Sequence, residues 1–140
     1  MSNKLLKSLV AILAVLTIAG AAVLVVVLNV SGEDKADEEQ TLDEMVEYSF
    51  QTSEMNTDLE DGSFVRIQFQ IITDSEKAKE EIAKREFQTQ NILIKELASM
   101  DREAFKTGLG ELEDVMKEKL NGLMQEGKVV DVYTINKVLQ

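Results

Sequence analysis

The chain has 140 residues, with 26 acidic against 15 basic side chains for a formal charge of −11, and contains neither histidine nor cysteine. These counts remove the commonest general base, the thiol nucleophile, the usual zinc ligands and any disulfide framework. So acidic a surface also suits neither nucleic acid nor anionic lipid headgroups, which are bound by clusters of Lys and Arg.

From Leu9 to Leu28 the chain carries no charge, and Thr17 is the one polar side chain. A helix of that length spans roughly 30 Å, the thickness of the bilayer's hydrocarbon core. This predicts a transmembrane helix over 9–28, with Leu9, Leu13, Leu16, Leu24 and Leu28 as its anchoring side chains. The other reading is a cleaved signal peptide, with Lys4 and Lys7 as basic region and Ala19-Gly20-Ala21 as cleavage triplet. Against it, Val23 to Leu28 continues the apolar run past that triplet, where an h-region normally ends.

Lys4 and Lys7 precede the span, and all 26 acidic residues follow it, which leaves 13 basic groups and a net −13 on the body. The positive-inside rule then predicts a cytoplasmic tip at 1–8 and an extracytoplasmic body. Within the span, Ala14, Thr17 and Ala21 share one helical face, a small-residue stripe of the kind that lets membrane helices pack closely. The plainer alternative is an apolar peg, with the Thr17 hydroxyl bonded to its own helix.

Residues 29–47 read as an acidic stalk. From Ser31 to Glu47 there are too few apolar groups to bury anything, and carboxylate repulsion favours an extended course, although Thr41 to Glu44 has the pattern that caps a short helix. The acids Asp43, Glu44 and Glu47 close this stretch.

Residues 48–140 suffice for one small α+β domain. Alternation predicts a first strand through Val46, Tyr48 and Phe50 and a second through Val65, Ile67, Phe69 and Ile71. Between them Asp58 to Ser63 supplies turn chemistry, predicting an antiparallel hairpin. Asp58, Glu60, Asp61 and Gly62 resemble a fragment of a calcium loop, but lack its alternating ligand spacing and distal Glu, so no metal site is expected.

Thr73-Asp74-Ser75 can cap a helix carrying Ala78 and Ile82, and its apolar phase drifts at Phe87 to Thr89 before Ile92, Leu93, Ile94 and Leu97. Either two helices meet there or one is bent. Leu112, Val115, Met116, Leu120, Leu123 and Met124 keep a 3.6 period in a last helix, with Gly127 as its C-cap. Val129 to Ile135, β-branched and aromatic, predicts a closing strand that returns to the sheet and leaves the helices on one face of a two-layer domain. Ser and Asp occur only where caps and turns need them, and no phosphate-cradling Gly-rich motif is present, so neither catalytic residues nor a cofactor or small-molecule substrate is expected.

Taken in order, these segments resemble the FliL family of flagellar basal-body-associated proteins. The residues that carry the resemblance are Leu97-Ala98-Ser99-Met100-Asp101, Gly110, the helix to Leu120-Asn121-Gly122-Leu123, and Glu126 to Tyr133 continuing to Gln140. They follow the family's closing order of L-S, G, L and N, G-x-V-x-x-V-Y and a final Q. Phe64 to Ile71 occupies the place of its dG-x-x-y-l-k-v strand, and Arg85 to Leu97 that of its R-x-x-I-R-D helix. Asn91 to Ile94 lacks the Arg-Asp pair and Lys137-Val138-Leu139 replaces an F-V-I ending, so roles tied to those residues are not carried over.

The resemblance implies a non-enzymatic motor protein of the cell membrane, partnered with the flagellar stator and basal body, with a stomatin-like exposed domain that forms a homo-oligomeric ring around a stator. On this reading Ala14, Thr17 and Ala21 face stator helices, and Asp43, Glu44 and Glu47 lie near the stator. The alternative is a membrane-anchored extracytoplasmic sensor or ligand-binding domain. That reading needs a cytoplasmic output module, for which a tip of eight residues has no room.

Overall fold

The computed structural model describes residues 3–34 and 39–140, and for 27–34 the backbone course alone. Two units are distinct, Met1–Glu39 and Gln40–Gln140. The first is a single helix, α1 (Asn3–Asp34), whose apolar stretch Asn3–Val26 is long enough to cross a membrane and includes no buried residue among those described. It therefore exceeds the 9–28 read from the sequence at both ends. Helix propagation is cheap once nucleated, so the flanking residues of the tip and the first residues of the expected stalk continue its ladder. Part of the stalk, residues 35–38, lies outside the described residues.

The second unit opens before the boundary drawn at residue 48. Gln40 Nε2 donates to the Thr73 carbonyl at 2.8 Å, and α2 (Leu42–Glu47) follows. Thr41 and Glu44 close the expected capping box, Glu44 N–H donating to Thr41 Oγ1 and Thr41 N–H to Glu44 Oε2. Lys79 Nζ donates to the Glu47 carbonyl at 2.9 Å. Gln40 to Glu47 is thus tied to the domain by hydrogen bonds rather than by apolar burial, which is why its composition reads as stalk.

A single sheet follows: β1 (Ser49–Gln51), β2 (Met55–Asp58), β3 (Phe64–Thr73) and, at the end of the chain, β4 (Val129–Leu139). All pairings are antiparallel to β3. Since β4 pairs with Val65 to Thr73, β1 and β2 lie end to end on the other edge, against Gln70 to Ile72 and Phe64 to Ile67. The expected hairpin turn at Asp58 to Ser63 is present, with Gly62 at φ +82°, but the strand entering it is β2. The predicted first strand is confined to β1, because Val46 belongs to α2 and is exposed. Thr52 interrupts the edge. Its N–H donates to the Phe69 carbonyl, and its Oγ1 accepts from Phe69 N–H, so a side chain replaces one rung of the ladder.

The helices α3 (Glu76–Lys84), α4 (Glu86–Leu97), α5 (Arg102–Thr107) and α6 (Leu109–Asn121) cover one sheet face. Ser75 caps α3 by accepting from Ala78 N–H, and Asp101 caps α5 through Ala104 N–H. Two helices rather than one bent helix meet at Arg85, two residues ahead of the drift seen in the sequence. The core joins Val65, Ile67, Phe69, Ile71, Val129 and Val132 of the sheet to Ile82, Leu93, Leu97, Phe105, Leu112, Met116 and Leu120 of the helices. This is the expected two-layer α+β domain.

The last helix ends at Gly122, short of Gly127. Gly127 instead occupies the turn into β4 at φ +120°, where a Cβ would lie 2.5 Å from Asp74 Oδ1. Its place is required by close approach to α3 and by backbone sign, and it is not the C-cap expected from periodicity.

Candidate functional site

Along α1 the side chains expected to anchor it, Leu9, Leu13, Leu16 and Leu24, are all about two-thirds or somewhat less exposed among the described residues. Leu28 lies on the same helix, its side chain outside the described residues. Ala14, Thr17 and Ala21 share one face of α1, since steps of three and four residues return to the same side of a helix. Thr17 Oγ1 donates to the Leu13 carbonyl at 2.9 Å. The hydroxyl is therefore self-satisfied as a donor, and across an interface it could act only as an acceptor.

The acids assigned to the stalk occupy α2. Asp43 lies in its first turn, where a carboxylate complements the helix dipole, and Glu44 is engaged in the capping box. Glu47 offers an exposed side chain while its carbonyl holds Lys79. On the same short helix Leu42 and Val46, four residues apart, stand exposed.

Two carboxylates of the domain, Glu81 and Asp61, hold backbone groups of the fold. Glu81 on α3 accepts from Gln125 and Glu126 N–H, at 3.0 and 2.6 Å, and pairs with Arg85 at 2.8 Å. Burial pushes its pKa up, but the two backbone donors and Arg85 together hold it below the usual carboxylate value. Asp61 in the hairpin accepts from Ser63 and Arg102, and these hydrogen bonds lower its pKa as well. Tyr133 is raised by its hydrogen bond to Asp131 and by the same carboxylate's charge.

Beside Glu81 an open depression of 570 Å³ is lined by Lys77, Lys84, Arg85, Phe87, Gln88 and Gln125 among others. Its half-buried Glu81 carboxylate is already bonded to Gln125, Glu126 and Arg85, and Phe87 projects into solvent. Among the described residues no cluster of three or more acidic groups could hold a metal ion. Opposite the helices, the sheet leaves Phe64, Tyr133 and Val138 between 37% and 42% exposed.

An apolar helix long enough to cross a membrane, followed by a small α+β domain, defines the class to which this chain belongs. Residues 48–140 match the family described as flagellar basal body-associated protein FliL. The flagellar protein FliL of Bacillus subtilis (strain 168) is 34% identical over 109 residues, covering 76% of this chain and 78% of that protein. The chain belongs to the FliL family of flagellar basal body-associated proteins.

The structure supplies reasons for the residues that carried the resemblance. Leu97 and Leu120 are buried, Asn121 binds the backbone of Val129, Gly127 makes the turn, Val129 and Val132 enter the core, and Gln140 pairs with Phe64. The sequence missed α5 and β2. Asp101 before Arg102 was a capping signal for the former, whereas β2 has only Met55 and Thr57 to alternate.

Proposed function

We propose that this chain is a non-enzymatic component of the flagellar motor, held in the cell membrane by α1 with its N-terminus cytoplasmic and its domain outside. It associates with stator units and supports torque in swimming or swarming, by assembling as a ring around a stator. The observation that carries this reading is the joining of an apolar helix long enough to span a bilayer to a domain that matches the flagellar family over residues 48–140. Charge agrees with it: a body at −13 repels its own copies, and confinement of anchors to a plane offsets that repulsion by raising their effective concentration. In residue terms, Ala14, Thr17 and Ala21 face stator helices, and Asp43, Glu44 and Glu47 lie near the stator.

Deletion of the gene, with a motility assay and fluorescence localisation of the stator, tests this. Reduced swimming or swarming with altered stator recruitment is expected; unchanged motility and recruitment would overturn it. Cysteines placed at Asp43 and Glu47 should give oligomer ladders in cells, and strict monomers at both would remove the ring.

A further inference from the structure

In an antiparallel ladder each residue points its N–H and C=O either at its partner or away, in alternation. Phe64 and Gln140 exchange both bonds, at 3.1 and 2.8 Å, so the register turns Val138 and Asn136 toward β3 and leaves Lys137 and Leu139 pointing outward. Beyond the irregularity at Gln68 and Phe69, the outward residues of β4 are Thr134, Val132 and Val129. Those three amides are taken: Glu113 accepts from Thr134, Asp131 from Val132, and Asn121 from Val129. Among the described residues nothing accepts from the amides of Lys137 or Leu139.

The opposite edge has the same design. Asp58, opposite Phe64, and Asn56, opposite Arg66, point outward, while Glu86 Oε1 closes the break between β1 and β2 by accepting from Ser53 N–H at 2.7 Å. At the hairpin end of the sheet both edges are thus open, β2 on one side of β3 and the last residues of β4 on the other. Unblocked edges are templates for strand pairing, and side chains that occupy the remaining amides confine pairing to this end.

Both strands run antiparallel to β3, hence parallel to each other. A rotation that carries one copy to the next can therefore set β4 of the first beside β2 of the second, the head-to-tail arrangement that closes into rings. Two-fold pairing is disfavoured by charge. Joining β4 to β4 about Lys137 opposes two ammonium groups, and joining β2 to β2 about Asn56 opposes Glu54 to Asp58; like charges directly across a pair are destabilising. Head-to-tail pairing meets neither opposition, since Lys137 projects from the helix face of the sheet, over the Phe105 ring, and Asp58 from the other.

We propose that copies of this chain associate head to tail by pairing the outer edge of β4 at Lys137 to Leu139 with that of β2 at Asn56 to Asp58. The pairing is short and needs the confinement of a membrane to be populated, so it rests on the assembly described above and names its surface.

The test is disulfide formation in cells between Asn56→Cys and Val138→Cys, in a chain that has no cysteine of its own. Both residues pair with Arg66 from opposite sides, so within one copy they lie two strand spacings apart, about 9.5 Å, beyond the ~7 Å reach of a disulfide. The double variant should give ladders of trimers and larger species under oxidation, and each single variant monomers. Dimers from either single variant as abundant as the double variant's products would overturn the head-to-tail arrangement.

Lys137→Pro in the double-cysteine chain removes an outward amide and leaves the chain's own ladder intact; the ladder should fall at least several-fold with an unchanged circular dichroism spectrum. Asp58→Pro, which removes an outward amide of the other edge, should act likewise, and an unchanged melting temperature in either variant guards against a folding defect. Ladders that withstand both substitutions, or that fail to form while the Asp43 and Glu47 cysteines still crosslink, would overturn this surface and leave the ring standing. Failure of all crosslinks would remove both.

Discussion

Asn121, the last residue of α6, clamps the first residue of β4: its Nδ2 donates to the Val129 carbonyl at 2.9 Å and its Oδ1 accepts from Val129 N–H at 2.7 Å. One side-chain amide thereby imitates a neighbouring strand and joins the helix layer to the sheet edge. Asn121→Ala leaves both groups of Val129 without these partners and should destabilise the chain by about 1–3 kcal/mol. Urea unfolding of the detergent-solubilised protein followed by circular dichroism measures it. Asn121→Asp, which keeps an acceptor and loses the donor, should fall between alanine and the native residue.

Glu81 makes stability pH-dependent. Its folded-state pKa lies below the unfolded one, so its contribution is complete above the unfolded value of about 4.3 and is lost as pH falls through the folded value. Asp61 acts in the same direction. Thermal melts should show a midpoint falling below about pH 5, and Glu81→Gln should lower stability at neutral pH and flatten that acid limb. An equally steep limb in the variant would place the effect elsewhere.

Two glycines of the resemblance should respond with opposite sign. Gly127→Ala meets Asp74 Oδ1 and a left-handed backbone at φ +120°, and should cost about 1–3 kcal/mol. Gly110 lies inside α6 with nothing within 4 Å of an added Cβ, so Gly110→Ala should stabilise by about 0.5–1 kcal/mol. Melting temperatures of the two variants, taken together, check the pair.

Leu16 lies near the middle of the uncovered apolar stretch. Leu16→Arg should raise the cost of insertion by about 3 kcal/mol and shift the protein out of the membrane fraction. Membrane fractionation with a blot reads the change, and a motility assay on the same strain should show a matching loss.

Much of the fold was legible because its signals are local. The strict alternation from Val65 to Ile71 announced the central strand, Ser75 announced the start of α3, and the 3.6 period from Leu112 announced α6. The errors fall where one local pattern competed with another, or where a tertiary partner overrode it. Val46 alternates with Tyr48 as a strand residue would, yet Thr41 and Glu44 close a capping box and draw it into a helix. Gly127 follows a helical period like a C-cap, yet Asp74 ahead of α3 and Ala78 on it determine its place. For the candidate site, the apolar helix and the family's closing motif were visible in the residues, whereas the open ends of β2 and β4 were not.

By itself the sequence determined the class of this protein. Twenty uncharged residues favour an apolar environment, and a chain without His or Cys has neither an imidazole base nor a thiol nucleophile. Only the tertiary structure decided how the exposed domain presents itself. Which amides Asn121, Glu113 and Glu86 occupy depends on residues 8 to 33 positions apart meeting in space, and no local period encodes such a meeting. Hydrophobic patterning is read along the chain, while the satisfaction of an edge strand is settled across it.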